Sequence, residues 1–231
     1  MKKSKQEQSF FNQELAKVYD ERNKPLSSIS ENLHFLLKLV LEELPEKAKI
    51  LCVGAGTGAE ILSLAKSFPN FTFLAVEPSL PMLEVCRQRV LAAGYTNRCE
   101  FLHGLVQDLP TGEGFDATLA ILVGHFIKRD ERLPFYKSMS TRLRPGGYFV
   151  NAEISFALES PEFPAMLKNW RSIQERMGAS PESLESLAQQ LREMLTILSP
   201  TEVESSIKEA GIALPIQFFQ SFMIHAWYGI K

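Results

Sequence analysis

Cysteine is scarce in this chain of 231 residues: Cys52, Cys86 and Cys99 are the three present, each among apolar neighbours. That is too few and too scattered for a disulfide framework or a zinc site, so the plain expectation is three small buried hydrophobes in a reducing compartment. No metal site is expected. Long apolar runs are missing as well; none approaches the roughly 18 residues that a bilayer span requires, and no membrane association is expected. The opening stretch MKKSKQEQSFFNQELAK has basic residues but lacks the continuous apolar segment of a secretory signal. Together these absences give a cytoplasmic expectation. Nor is there an excess of charge of one sign. The 25 Lys and Arg face 27 Asp and Glu, a net charge of -2, which gives no footprint for nucleic acid or an anionic surface. Internal repeats and low-complexity stretches are absent too. What remains, with 45% hydrophobic and 23% charged residues, is the composition of an ordinary globular domain.

Short β-type runs alternate with longer helical patterns, the mark of a parallel sheet with crossover helices. Helices are expected over 6–20 and 29–44, the second on the three- and four-residue spacing of Leu33, Leu36, Leu37, Val40, Leu41 and Leu44. Strands are expected at 49–53, 71–77, 100–103, 116–122 and 148–155, with helices at 59–67, 80–93 and 130–143 between them. Ser79 reads as the N-cap of one helix and Gly94 as its stop. Arg144-Pro145-Gly146-Gly147 reads as a turn. From 156 to 212 the pattern becomes helical, broken at Pro161, Gly178–Pro181 and Ser199-Pro200, with Thr201 and Glu204 as an expected capping box. That is too long for a plain connection, and it reads as a helical lid over the ligand-binding edge. Two aromatic strand runs, 216–222 and 225–230, close the chain. The expected organisation is one domain: N-terminal helices over 1–48, a nucleotide-binding core over 49–155, the lid over 156–212 and a final strand pair over 213–231. The aromatic final strands are either covered or form a pairing edge compatible with a homodimer.

The strongest local signal is ILCVGAGTGAE, residues 50–60. A buried strand runs directly into Gly54-Ala55-Gly56-Thr57-Gly58 and then a helix, and glycines let such a turn approach a ligand closely. Glu77 follows Gly58 by 19 residues, at the end of the next strand. An acid there can accept both hydroxyls of a ribose. The bland reading is a tight strand–helix turn beside an incidental glutamate, but strand, turn, helix, strand and acid all fall in nucleotide-binding order. Gly54, Gly56 and Ala59 also satisfy a dinucleotide fingerprint; Gly58 instead gives the G-x-G-x-G spacing suited to a small amino-acid moiety, which counts against a nicotinamide cofactor.

VGAGTGAE, AVEPSLPML, FDATLAILVGHFI and LRPGGYFVNAE resemble the class I S-adenosylmethionine-dependent methyltransferases over roughly residues 49–155. The resemblance implies a Rossmann-like α/β fold with a seven-stranded sheet in the order 3-2-1-4-5-7-6, the seventh strand antiparallel. It implies S-adenosylmethionine as cofactor, with Gly54, Ala55, Gly56 and Gly58 cradling the methionine part and Glu77 holding the ribose. Pro78 and Met82 would flank the adenine. Where the family usually places Gly-Asp-Ala, this chain has Gly104-Leu105-Val106-Gln107-Asp108, so adenine recognition by Leu105, Val106 and Gln107 falls to backbone groups or to the Gln107 side chain. Leu122 would lie near the amino-acid end, and Tyr19 is placed to cap it. The tail, SLAQQLREMLTILSPTEVESSIKEAGI with PIQFFQSFMIHAWYGIK, is similar to the carboxy-S-adenosylmethionine synthases of tRNA wobble-uridine modification, with Arg192 falling within a residue of the arginine they need. A non-catalytic cofactor-binding module is the alternative of another class, supported by the acid missing at Leu105.

A methyl on a sulfonium needs in-line placement and exclusion of water more than it needs a base. Two side chains stand where a base would stand, at the ends of strands four and five. His125 lies three residues past Leu122, and a base near neutral pH is its functional reading against a structural one. Glu153 reads either as a base or binder of a cation or as an exposed strand-end carboxylate. His103, at the end of strand three, is nearer the expected adenine. No Asn-Pro-Pro-Tyr follows the fourth strand, and no cysteine sits in a catalytic loop. Phe156, Phe163, Met166, Trp170, Met177, Met194 and Leu198 read as core packing, with a share left to line an apolar pocket. The expected activity is therefore methyl transfer to a small molecule.

Overall fold

Alternating burial sets the layers. In β1 (Lys49–Val53), Ile50 and Cys52 face one side of the sheet and Leu51 and Val53 the other, all buried. A strand that is apolar on both faces must be covered on both, which is the condition for a parallel sheet with helices on each side. The computed structural model describes residues 12–110, 112 and 114–231. Its sheet has seven strands in the order β3-β2-β1-β4-β5-β7-β6, as the resemblance implies. The remaining strands are β2 (Thr72–Glu77), β3 (Cys99–His103), β4 (Phe115–Ile121), β5 (Leu143–Ile154), β6 (Ile216–Ser221) and β7 (Ile224–Ile230). The first five pair in parallel, and β7 is antiparallel to both β5 and β6.

Helices α2 (Ser27–Val40), α3 (Ala59–Ser67) and α4 (Leu80–Ala92) cover one face through Leu37, Ile61, Leu64, Leu83 and Val90. Helices α5 (Arg129–Ser140) and α9 (Pro200–Glu209) cover the other through Phe135, Tyr136, Val203 and Ile207, which meet Phe149 and Trp227. A third cluster joins α6 (Phe163–Arg176) and α8 (Leu187–Glu193), which flank α7 (Pro181–Glu185) in the chain, to the β6–β7 turn and to Leu33 of α2. α1 (Gln13–Asn23) starts at Asn12, whose side chain accepts from the Leu15 N–H. Residues 6–11 of the first expected helix lie outside the described residues.

Several expectations move. Arg144–Gly147 does not end a helix–strand connection; it is absorbed into β5, where the pairing jumps from Phe115↔Leu143 to Ala117↔Tyr148. Of the expected lid, α9 is a crossover helix on the sheet face beside α5, so only α6 to α8 stand at the sheet's end. The capping box is Ser199 with Glu202, not Thr201 with Glu204. Pro200 cannot donate and takes the first helical position, so the cap must precede it. The Glu202 carboxylate accepts from the Ser199 N–H at 2.8 Å, and Glu204 is instead the acceptor of the Trp227 indole N–H at 3.1 Å. The three cysteines are buried and free, and burial pushes the Cys86 thiol up to about 12 and Cys99 to about 11.

This placement of the cap makes an expected outcome. Ser199→Ala removes the acceptor for the Glu202 N–H and lowers unfolding free energy by about 1 kcal/mol, while Thr201→Ala changes it by less than about 0.5 kcal/mol. Equal losses in urea titration would return the cap to Thr201.

Candidate functional site

The site begins where β1 ends. Gly54, Gly56 and Gly58 all have positive φ, at 65°, 52° and 81°. At Gly58 a Cβ would come 2.6 Å from the Cys86 sulfur, so both the backbone and the packing of α4 demand glycine there. Gly54 and Ala55 donate to the Val76 carbonyl at 2.8 and 3.1 Å, locking the turn to β2. Glu77 completes the lock. Its two buried carboxylate oxygens accept from the Gly56 N–H and the Ser79 N–H, each at 2.9 Å. Burial raises its pKa, and those two backbone bonds, with His103 beyond them, oppose the rise. A carboxylate offers about four lone-pair positions, so two remain for a pair of ribose hydroxyls.

Ser79 caps α4, and Pro78, Ser79, Leu80, Pro81 and His103 line a small open cavity of about 230 Å³ beside this carboxylate. The His103 Nε2 lies 3.1 Å from the Pro78 carbonyl. Met82 is buried, with its methyl 3.8 Å from where a Gly56 Cβ would stand. Beyond β3, the Leu105 side chain is 38% exposed and Val106 is buried, whereas Gln107 is exposed. The acid missing at Leu105 has a local counterpart that the spacing hid: Asp108 turns back and accepts from the Leu105 N–H at 2.7 Å. Tyr19 of α1 reaches the same end of the sheet. Its hydroxyl is pushed up to about 12, first by burial and then by the charges of Glu60, Asp20 and Glu77.

Leu122 leaves β4 with φ at 59°, a left-handed conformation that costs a bulky residue energy. Its N–H donates to the Ala152 carbonyl at 2.6 Å, and its side chain joins the third cluster, near Phe156 and Met166. The next residue, Val123, packs over Gly54.

Neither catalytic expectation survives in the form the sequence suggested. His125 is 3% exposed, its Nδ1 accepts from the Ile154 N–H at 3.3 Å, and burial followed by the Arg132 charge lowers its pKa to about 3. It is a neutral wedge between β4 and β5, not a base near neutral pH. Glu153 is not an exposed strand-end carboxylate. It is fully buried, paired with the buried Arg132, and takes the Tyr136 O–H at 2.6 Å and the Asn151 side-chain N–H at 3.1 Å. Gly124 makes the space: a Cβ there would overlap the Glu153 carboxylate. Burial works to lower the Arg132 pKa, but Glu153 and Tyr136 outweigh it and the net shift is upward. Arg132 also donates to the Thr196 carbonyl at 2.8 Å, joining the helical segment to the sheet. No local pattern in the chain marks this cluster, because its members meet only in the fold.

A larger cavity of about 540 Å³ lies between the end of β5 and the helical segment, lined by Phe156, Leu158, Leu191 and Leu195 with Arg129 and Arg192 at its polar side. Arg192 donates to the Leu158 carbonyl at 3.1 Å, pairs with Glu159 at 3.3 Å and lies over the Phe163 ring. Among the described residues, no group of His, Cys, Asp or Glu is arranged to hold a metal ion, and no helix is long and apolar enough to cross a membrane.

A 3-2-1-4-5-7-6 sheet with a glycine turn after β1 and an acid ending β2 defines a Rossmann-like nucleotide-binding transferase fold. Residues 50–147 match the family model described as a methyltransferase domain. A carboxy-S-adenosyl-L-methionine synthase of Campylobacter hominis is 22% identical over 88% of this chain and 86% of its own. A fatty-acid O-methyltransferase of Mycolicibacterium smegmatis is 32% identical over 53% of this chain and 43% of its own. The solved S-adenosylmethionine-dependent methyltransferase SibL superposes with a TM-score of 0.66 at 16% identity, over 89% of this chain; the chain spans 55% of SibL. The matched stretch, residues 50–147, holds the glycine turn and Glu77, and the sheet order is that of the Rossmann-like methyltransferase fold.

Two outcomes follow from the buried polar groups. Glu153→Ala leaves the Arg132 charge buried without its acid and lowers unfolding free energy by about 3–5 kcal/mol; a loss under about 1 kcal/mol in denaturant titration would refute that coupling. His225 stacks on Trp227, faces Glu153 across β5 and β7, has neither ring nitrogen hydrogen-bonded among the described residues, and is lowered to about 4 by burial. Because the folded values of His125 and His225 lie below the ordinary 6.5, the unfolded chain binds more protons as acid is added. Stability is complete above about pH 6.5 and declines towards pH 4, by about 1.4 kcal/mol per pH unit for each imidazole. His225→Phe removes one share of that slope between pH 6 and 4.5; a melting curve series with the wild-type slope would show His225 uninvolved.

Proposed function

We propose that this enzyme transfers the methyl group of S-adenosylmethionine to a small molecule with an apolar body. The observation that carries the cofactor half is the Glu77 carboxylate, fixed between the Gly56 and Ser79 amides with lone pairs left over for a ribose. The glycine turn holds the methionine end, and Pro78, Met82 and the cavity beside His103 accept the adenine. When bound, the cofactor supplies a methyl already activated by its sulfonium. The chain has only to hold the acceptor in line and keep water out. That demand is consistent with a buried His125 whose Nδ1 is engaged by the Ile154 N–H, which shapes the exit from β4.

The acceptor half is supported by what surrounds Leu122. Phe156, Met166 and Ile29 belong to the same apolar cluster, and Phe156 also lines the 540 Å³ cavity, where Leu158, Leu191, Leu195 and Ile197 share the wall with polar side chains including Arg129, Arg192 and Glu202. The fatty-acid O-methyltransferase relative has an acceptor of that kind in its name. A second reading is supported by the length of the match to the Campylobacter hominis carboxy-S-adenosyl-L-methionine synthase and by Arg192 at the cavity wall, where it can exchange Glu159 for the carboxylate of a carboxylated cofactor. The mass of the small molecule retained through native purification separates the two. S-adenosylmethionine or S-adenosylhomocysteine supports methyl transfer, and a species heavier by a carboxylate supports the second reading.

The ribose assignment makes the central prediction. Glu77→Ala weakens S-adenosylhomocysteine binding at least tenfold by calorimetry, about 1.4 kcal/mol or more. An unchanged affinity removes Glu77 from the cofactor site.

A further inference from the structure

Thr57, the side chain inside the glycine turn, is buried and contacts two charged groups from distant parts of the chain. Its hydroxyl donates to Asp20 of α1 at 2.8 Å. Arg89 of α4 donates one guanidinium nitrogen to the Thr57 hydroxyl at 2.9 Å and to the Thr57 carbonyl at 3.0 Å. The same nitrogen lies 2.8 Å from the other Asp20 oxygen, closing a ring of three side chains around one residue of the turn.

We propose that Arg89 is a positioning residue for the cofactor, holding the glycine turn from below and seating the N-terminal helix on it through Asp20. The proposal rests on the cofactor reading above. Three facts converge on it. The Thr57 carbonyl lies between Gly56 and Gly58, both at positive φ, so fixing it fixes the turn where a ligand approaches most closely. Gly56 on one side of Thr57 is tied to Glu77, so the Arg89 bond and the ribose acid act on peptide units of the turn separated by a single unit. On α1, Asp20 adjoins Tyr19, whose hydroxyl experiences the charges of Glu60 and Glu77. The ring therefore couples three things the cofactor needs at once: the turn, the acid and the helix that closes over them. A threonine hydroxyl is needed at position 57 because it must donate to Asp20 and accept from Arg89 simultaneously, which neither valine nor alanine can do.

The test measures S-adenosylhomocysteine affinity and dissociation rate for the full chain and for Arg89→Met, Thr57→Val and Asp20→Asn, alongside the melting temperature of each ligand-free protein. Arg89→Met is expected to weaken affinity at least tenfold, mostly through faster dissociation. Thr57→Val, which preserves shape, is expected to weaken it three- to tenfold with the fold intact. Asp20→Asn keeps an acceptor for Thr57 but loses the charge, so its effect is smaller and, combined with Arg89→Met, less than multiplicative. A staple that serves folding alone would lower the melting temperature and leave affinity and dissociation of the folded protein at the wild-type values; that result overturns the proposal, as does a wild-type Thr57→Val. Failure of the wild-type chain itself to bind S-adenosylhomocysteine would instead overturn the cofactor reading and the proposal together.

Discussion

A single carboxylate ties the cofactor half of the molecule together. Glu77 ends β2 in a place where its own desolvation disfavours charge, and two amide N–H groups compensate it, one from the turn after β1 and one from the start of α4. Adjacent strands of a parallel sheet deliver their loops to the same edge, so the register Val53↔Val76 sets Glu77 beside the glycine turn. The bonds run both ways. The amides stabilise the acid, and the acid holds a turn whose three positive-φ glycines have the most conformational freedom to lose. Arg89 and Asp20 extend the same arrangement outward to the N-terminal helix through Thr57.

The other half is organised by a buried ion pair of a different kind. Arg132 and Glu153 are withdrawn from water, and the pair is supported by Tyr136, Asn151 and two backbone carbonyls. Such a pair adds little net stability over apolar packing, but it is severe towards alternatives, because any arrangement that separates the partners leaves a charge buried alone. Its members come from β5, from α5 and from the chain entering α9, so it fixes where the helical segment joins the sheet. The position of the cavity between β5 and α8 is thereby tied to the same contact.

How legible this was in the sequence depended on distance along the chain. The bounds of β1 and α3 follow directly from an apolar run stopped by Gly-Ala-Gly-Thr-Gly, and both stand where expected. The Ser79 cap is likewise a four-residue fact. Glu77 was legible because strand ends put it at a fixed place. The capping box near residue 200 was misplaced by two residues because two overlapping Ser/Thr-x-x-Glu patterns compete, and Pro200 decides between them through its missing N–H. The roles of His125 and Glu153 were not legible at all. Strand-end position is shared by a catalytic and a buried polar group, and what separates them is the burial supplied by α5 and Gly124, which no local pattern encodes.

The same difference explains why the cofactor is easier to read from this chain than the acceptor. A nucleotide is held by backbone geometry at one sheet edge, and backbone geometry has a sequence signature: glycines where φ is positive, a cap where a helix starts, an acid where a strand stops. The acceptor site proposed above draws instead on side chains from α2, α6 and the ends of β4 and β5, gathered by packing into one apolar cluster. Substituting one apolar residue for another there preserves the fold and changes the shape of the space. Leu122 stands at the boundary of the two regimes. Its left-handed backbone turns the chain out of β4 so that Val123 closes over Gly54 on the cofactor side while the leucine itself joins the apolar cluster. One strained residue thus orients both halves, and the energy it costs is sustained because the Ala152 carbonyl and the packing on each side leave it no other conformation.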